Sequence, residues 1–211
     1  MGERITAISG APKQKPISKN IKSEKFKNIG EPKTKKRTNV SENNNMELEH
    51  YKQAGEIAQK LRKYAREITK PGVPLIELAQ KIHAKIEELG AEQAFPVNLS
   101  IDDVAAHYHP TLDDETKASG LLKIDIGIHI KGFIADTALT IDLTPDNKHK
   151  ELIEASEQAL KKALELLPQN PSLNQIGETI QNTIEEKGFS PIINLSGHSL
   201  DEYEIHAGIT I

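Results

Sequence analysis

The sequence predicts an α+β domain, an antiparallel sheet covered by helices. Three observations carry this. Two segments with apolar residues at threes and fours precede a group of strand-like segments, and two more follow it. The strand-like segments around residue 131 are joined by only two residues, which makes them an antiparallel hairpin. The helical segments come in pairs, which suits them to cover one face of a sheet.

Residues 1–45 stand apart from that domain. They hold eleven Lys and Arg against four Asp and Glu, a net +7, which leaves −11 on the rest of a chain whose net charge is −4. Lys, Asn, Ser, Pro and Thr dominate, with no helical or strand period, so 1–45 is expected to be a disordered basic extension. Such an arm is a solvated tail or a contact for a polyanion such as RNA, through Lys33, Lys35, Lys36 and Arg37. The folded part is expected over 46–211.

Composition excludes several classes. Cysteine is absent, which rules out disulfides and Cys-ligated metal. Aromatic residues make up 4% and Trp is absent, so stacking on bases is not a theme and DNA is not expected as a partner. No apolar run approaches the ~18 residues of a spanning helix. No apolar N-terminal segment reads as a secretion signal. A cytoplasmic, reducing compartment is expected, with no membrane partner.

From Met46, apolar Tyr51, Ala54, Ile57, Ala58, Leu61, Ala65 and Ile68 mark one helical face, ended by Pro71-Gly72. Pro74 opens a second helix on Leu75, Leu78, Ala79, Ile82, Ile86 and Leu89, with Gly90 as its terminating residue. FPVNLSIDDVAAHY reads as a loop and short strand, and the hairpin follows. Thr144-Pro145 suits the N-cap and first position of a third helix over HKELIEASEQALKKALELL. Ser172 with Gln175 forms a capping box for a fourth, which Gly188 stops. FSPIINLSGHSLDEYEIHAGITI is strand-like, broken at Ser196-Gly197.

The hairpin LKIDIGIHIKGFIADTAL carries two aspartates, which are poor strand residues and costly to bury alone. With Lys131-Gly132 as a two-residue loop, Gly127 faces Asp136 and Asp125 faces Ala138. Asp125 and Asp136 then lie diagonally on one face, with Gly127 clearing space between them. Carboxylates so placed can grip ions ~3.5–4 Å apart. Ile124, Ile126, Ile128, Ile130, Leu139 and Ile141 occupy the other face, which is core. An acidic face can also simply be wet, with Lys123 neutralising one aspartate, and spacing alone does not decide between the two.

The chain has eight histidines. His50, His83, His149, His109 and His129 fall on helices, in a loop or near the hairpin tip. His107 in AAHY, His198 in SGHS and His206 in IHAG sit beside small residues that permit close approach. Carboxylates with a neutral imidazole suit a borderline divalent metal such as Mn, Fe, Co or Zn.

Taken together, FPVNLSIDDVAAHY, LKIDIGIHIKGFIADTALTI and PIINLSGHSLDEYEIHAG resemble the type 2 methionine aminopeptidases, in their archaeal form, over 46–211. The paired aspartates are shared with the wider "pita-bread" superfamily, while AAHY and NLSGHS…IHAG are the type 2 markers. The resemblance implies the first half of a pita-bread fold and removal of the initiator methionine from nascent chains. It implies two divalent metal ions (Co, Mn, Fe, Zn or Ni) that activate a water and polarise the scissile carbonyl. It implies Asp125, Asp136 and His198 as metal ligands. His107 would be the substrate-side histidine at the scissile bond, and His206 the second histidine, stabilising the tetrahedral intermediate. Phe95 matches an apolar wall of the methionine pocket, with Ile193 and Ile205 as weaker candidates better read as core.

Two further glutamate ligands of that family lie beyond the IHAG segment, and neither is present by Ile211. The chain is therefore expected to be a fragment, inactive alone. The implied partners are nascent polypeptide N-termini and, through the basic arm, the ribosome. The alternatives are a non-catalytic RNA- or ribosome-binding relative, an X-Pro peptidase of the superfamily, and a regulatory α+β module with a wet acidic hairpin.

Overall fold

The computed structural model describes residues 40–211, and the expectations for the basic arm over 1–39 lie outside them. Four helices and four strands follow in the order α1 (Val40–Ile68), α2 (Leu75–Glu88), β1 (Glu92–Gln93), β2 (Asn98–Ile101), β3 (Leu121–Ile130), β4 (Phe133–Asp142), α3 (Lys150–Leu166) and α4 (Leu173–Glu185). Helix α1 begins six residues before Met46, where the folded part was expected to start. A helix anchored by packing extends at little cost per added residue, because nucleation is already done. Among the described residues no helix is long and apolar enough to cross a membrane.

β3 is the centre of an antiparallel sheet. β1 and β2 pair with one of its edges, and β4 pairs with the other along its full length. The β3–β4 register is the expected one: Ile130 faces Phe133, Gly127 faces Asp136 and Asp125 faces Ala138. Lys131 and Gly132 both take positive φ, +51° and +91°, as the tight turn matched to strand twist requires.

The apolar face is buried as its alternation dictates. Leu122, Ile124, Ile126 and Ile128 are fully buried, and Leu139 nearly so. Helices α1 and α2 cover this face. α1 presents mostly small residues, Ala54, Ala58, Leu61 and Ala65, which let its backbone lie close to the sheet. α2 contributes Leu75, Leu78, Ile82 and Ile86, all fully buried. At its end Gly90 takes φ +76°, and the Ala91 amide donates to the Ile86 carbonyl at 3.2 Å, so the glycine terminates the helix as expected.

The later helices differ in one boundary. Thr144 does not cap α3, which starts at Lys150 after His149. Asp142 captures the loop instead: its carboxylate accepts from the amides of Thr144 (2.9 Å) and His149 (2.7 Å). Asn147 then sits in the left-handed region at φ +50°, which interrupts any helix from Thr144. The α4 capping box forms as expected, with Ser172 Oγ accepting from the Gln175 amide and Gln175 Oε1 from the Ser172 amide. α3 and α4 pack through Ala155, Ala159, Ala163 and Ile176.

The expected strands over 189–211 are not formed. That segment makes only isolated bridges, His198 with Thr210 and Asp201 with Glu204, and folds back on itself. A strand needs a continuous ladder of partners, and the Ser199–Ile209 and Gly197–Ile211 backbone bonds supply single rungs. Ile193, read as core from sequence, is 95% exposed.

The turn is testable. Lys131→Asn should raise stability by roughly 0.5–1 kcal/mol in thermal or urea unfolding, because Asn tolerates the left-handed region better than Lys. Gly132→Ala should lower it by ~1–3 kcal/mol, since an added Cβ meets the Tyr203 ring. A neutral result in both would mean the hairpin does not close through this turn.

Candidate metal centre

The face of β3 and β4 turned away from the core carries the acidic pair. Asp125 and Asp136 share it because Gly127, two residues on from Asp125, stands directly opposite Asp136. β4 is an outer strand, so the Asp136 backbone is open to solvent, yet its side chain is only 24% exposed. The carboxylate is therefore turned in over the sheet.

Two acids in partial burial cannot both ionise freely. Burial and then the charge of Asp136 push the Asp125 carboxyl up to about 6 from an ordinary 3.8. A hydrogen bond from Asn98 and the nearby charge of His107 oppose that rise. Asp136 is also raised, by burial, against the opposing influence of His198, its hydrogen bond with Asp125, and His206. In the absence of a cation, the pair holds a proton more readily than two exposed aspartates do.

The histidines come from two separate loops. His198 Nε2 lies 3.3 Å from Asp136 Oδ2. The His206 ring centroid is 4.4 Å from that of His198. Their segment is tied to the hairpin tip, where the Tyr203 amide donates to the Gly132 carbonyl at 2.9 Å and the Tyr203 ring meets His129 edge-on. His107 approaches from the loop after β2, with φ +65°, and acts on Asp125. Phe95 occupies the space expected to be clear over Gly127: any Cβ at Gly127 would run into its ring. The Ala94 amide donates to the Gly127 carbonyl at 2.9 Å and so seats the Phe95 ring there.

One sequence expectation needs correction, and one residue of the site carried no expectation. Lys123 does not neutralise an aspartate of the pair; its ammonium donates to the carbonyls of Asp102 and Leu121. Asn98 was not anticipated. It is 8% exposed and paired with Asp125 across β2–β3. Only the β2–β3 register reveals it, because an Asn before Leu-Ser-Ile reads from sequence as loop.

The donors fit a divalent cation in kind. Two carboxylates whose pKa values are raised, an imidazole, and a buried His198 Nδ1 with no hydrogen-bond partner among the described residues make a site that a cation and its surroundings would satisfy. In geometry they form overlapping pairs, Asp125 with Asp136 and Asp136 with His198. Among the described residues no three His, Cys, Asp or Glu side chains converge on one point.

The acidic pair makes a signed prediction for metal-free protein. The folded form keeps a proton on Asp125 between about pH 4 and 6 that the unfolded chain has lost, so this group's contribution falls as pH rises through that window. Asp125→Asn should therefore be more stable than the parent above pH ~6, with the gain vanishing below pH ~4, in urea unfolding with chelator present. A pH-independent difference would contradict the shift. Gly127→Ala should cost ~1–3 kcal/mol through the Phe95 clash.

The model for metallopeptidase family M24 matches residues 49–211. The chain is 46% identical over 168 residues to a methionine aminopeptidase of Pyrococcus horikoshii, covering 79% of this chain and 56% of that protein. It is 45% identical over 171 residues to a methionine aminopeptidase of Methanocaldococcus jannaschii, covering 79% and 58%. The chain thus spans little more than half the length of these relatives. Among solved structures, a methionine aminopeptidase from Rickettsia prowazekii shares the fold with a TM-score of 0.69 at 23% identity, over 79% of this chain and 70% of that one. A prolidase from Pyrococcus horikoshii aligns with a TM-score of 0.64 at 27% identity, over 78% and 48%. The antiparallel sheet under paired helices is the architecture these neighbours share, and the family model spans most of the chain: it belongs to metallopeptidase family M24.

Proposed function

We propose that this chain carries part of the metal site of a methionine aminopeptidase, which removes the initiator methionine from nascent polypeptides. The observation that carries the reading is the inward pair Asp125 and Asp136 with His198 Nε2 against the second of them. Its support is the name shared by the two archaeal relatives described above.

In this reading Asp125, Asp136 and His198 hold up to two divalent ions, drawn from Co, Mn, Fe, Zn or Ni. When bound, such ions supply Lewis acidity and a water of lowered pKa. The chain's own residues do the rest. Phe95, packed against Gly127, forms an apolar wall for the methionine side chain. His107 hydrogen-bonds the substrate at the scissile peptide, and His206 donates to the oxygen that gains negative charge as the carbonyl becomes tetrahedral. The raised carboxyl pKa values have a direct consequence: a cation held by this pair would compete with a proton on Asp125, so its binding would strengthen as pH rises through about 6.

The partner is the N-terminus of a polypeptide emerging from the ribosome, in the cytoplasm. The +7 arm over 1–45 would raise encounters with a polyanionic surface in a salt-dependent way. Removing 1–39, which spares α1, should weaken co-sedimentation with ribosomes at low salt, and unchanged sedimentation would count against this role.

Cobalt(II) titration of the chain tests the site. Visible absorption bands should appear on binding, and Asp136→Asn or His198→Ala should weaken the apparent affinity by at least roughly tenfold. A spectrum indifferent to both substitutions would remove the chemistry. In a version extended to the length of its relatives and loaded with metal, cleavage of a Met-Ala-Ser peptide but not an Ala-Pro peptide separates this reading from an X-Pro peptidase, whereas turnover by the present chain alone would contradict the expectation of an inactive fragment.

A further inference from the structure

His107 holds an uncommon backbone conformation for a residue with a side chain, φ +65° in the left-handed region, which His, Asn and Asp reach more readily than other residues. Ala105 and Ala106, before it, have no polar side-chain atoms to hold it there. Tyr108, after it, is held on several sides. Its carbonyl accepts from the Leu99 amide of β2 at 2.6 Å. Its amide donates to Ser100 Oγ at 3.4 Å, in a strand where Leu99 and Ser100 are almost fully buried. Its phenol donates to Asp114 Oδ2 at 2.7 Å and lies 3.3 Å from Thr116 Oγ1. Asp114 is itself fixed, because its other oxygen accepts from the Thr116 amide at 2.8 Å. The ring packs against the main core and, with Leu75, Leu99 and Ile101, borders a cavity of about 170 Å³.

We propose that Tyr108 is a positioning residue: by tying the chain to β2 on one side and to Asp114 on the other, it holds His107 in its left-handed turn and fixes the direction of its side chain. The phenol is the far end of a rigid lever with two side-chain torsions, so the Asp114 bond orients the whole residue at low entropic cost. Without that lock, His107 is free to relax to negative φ and swing its imidazole away from Asp125. The consequence for chemistry rests on the reading of His107 as the substrate-side group, but the positioning itself needs neither metal nor substrate.

The test uses metal-free, ¹⁵N-labelled chain. Tyr108→Phe keeps the ring and removes only the phenol bond; Asp114→Ala keeps the tyrosine and removes its acceptor, so it serves if the first variant folds poorly. Both should broaden or split the His107 imidazole signals and speed hydrogen exchange at the Leu99 amide about tenfold. The imidazole signals of His50 and His198 should stay unchanged, which a general loosening of the fold would not allow. Unaltered His107 signals in both variants, or all histidines shifting together, would overturn the proposal. The underlying reading fails separately: in a version extended to the length of its relatives that cleaves a Met-Ala-Ser peptide, an unchanged rate on His107→Ala would remove the substrate role without touching the ordering of His107 seen in the parent.

Discussion

Everything at the site depends on one pairing. The two-residue turn at Lys131-Gly132 sets Gly127 opposite Asp136, and that register puts both aspartates on the face that the isoleucines leave. A slip of one residue on β4 would send Asp136 into the core and turn Leu139 out. The penalty for that slip is severe on both counts, an unpaired buried charge and an exposed leucine. The apolar face therefore acts as the device that holds the acids together.

The rest of the chain brings neutral or positive groups to that fixed pair. β2 contributes Asn98 directly across from Asp125. The loop after β2 brings His107, and the segment clasped to the hairpin tip brings His198 and His206. Phe95 closes the apolar side over Gly127, where a side chain would run into its ring. Acids pressed together with imidazoles beside them are donors of the kind a divalent cation takes. Much of the local electrostatic cost is what a cation would relieve.

Period and turn chemistry made much of this readable from the residues alone. The alternation of Ile124, Ile126 and Ile128 against Asp125 and Gly127 announced the sheet and its two faces. Gly90 and the Ser172–Gln175 box announced helix ends because their physics is local. What was hidden depended on contacts remote in sequence. Asn98 is a loop-like residue until the β2–β3 register is known. Thr144 looks like a cap until Asp142 takes the amides it would have served. The 189–211 segment has strand-like residues but no continuous ladder, and its histidines reach the acids through a clasp at Tyr203 that periodicity cannot signal. Phe95 enters the expectations only through the family resemblance, and its seat on Gly127 follows only from the packing.

The most direct check on the central claim is a carboxyl-detected NMR titration of metal-free protein, following the side-chain ¹³C signals of Asp125 and Asp136. Two acids held together by the hairpin register should titrate as an interacting pair, each responding at the other's midpoint, with Asp125 near 6. Independent titration of both near the ordinary aspartate value of ~3.9 would show them apart, and the site built on their pairing would be lost.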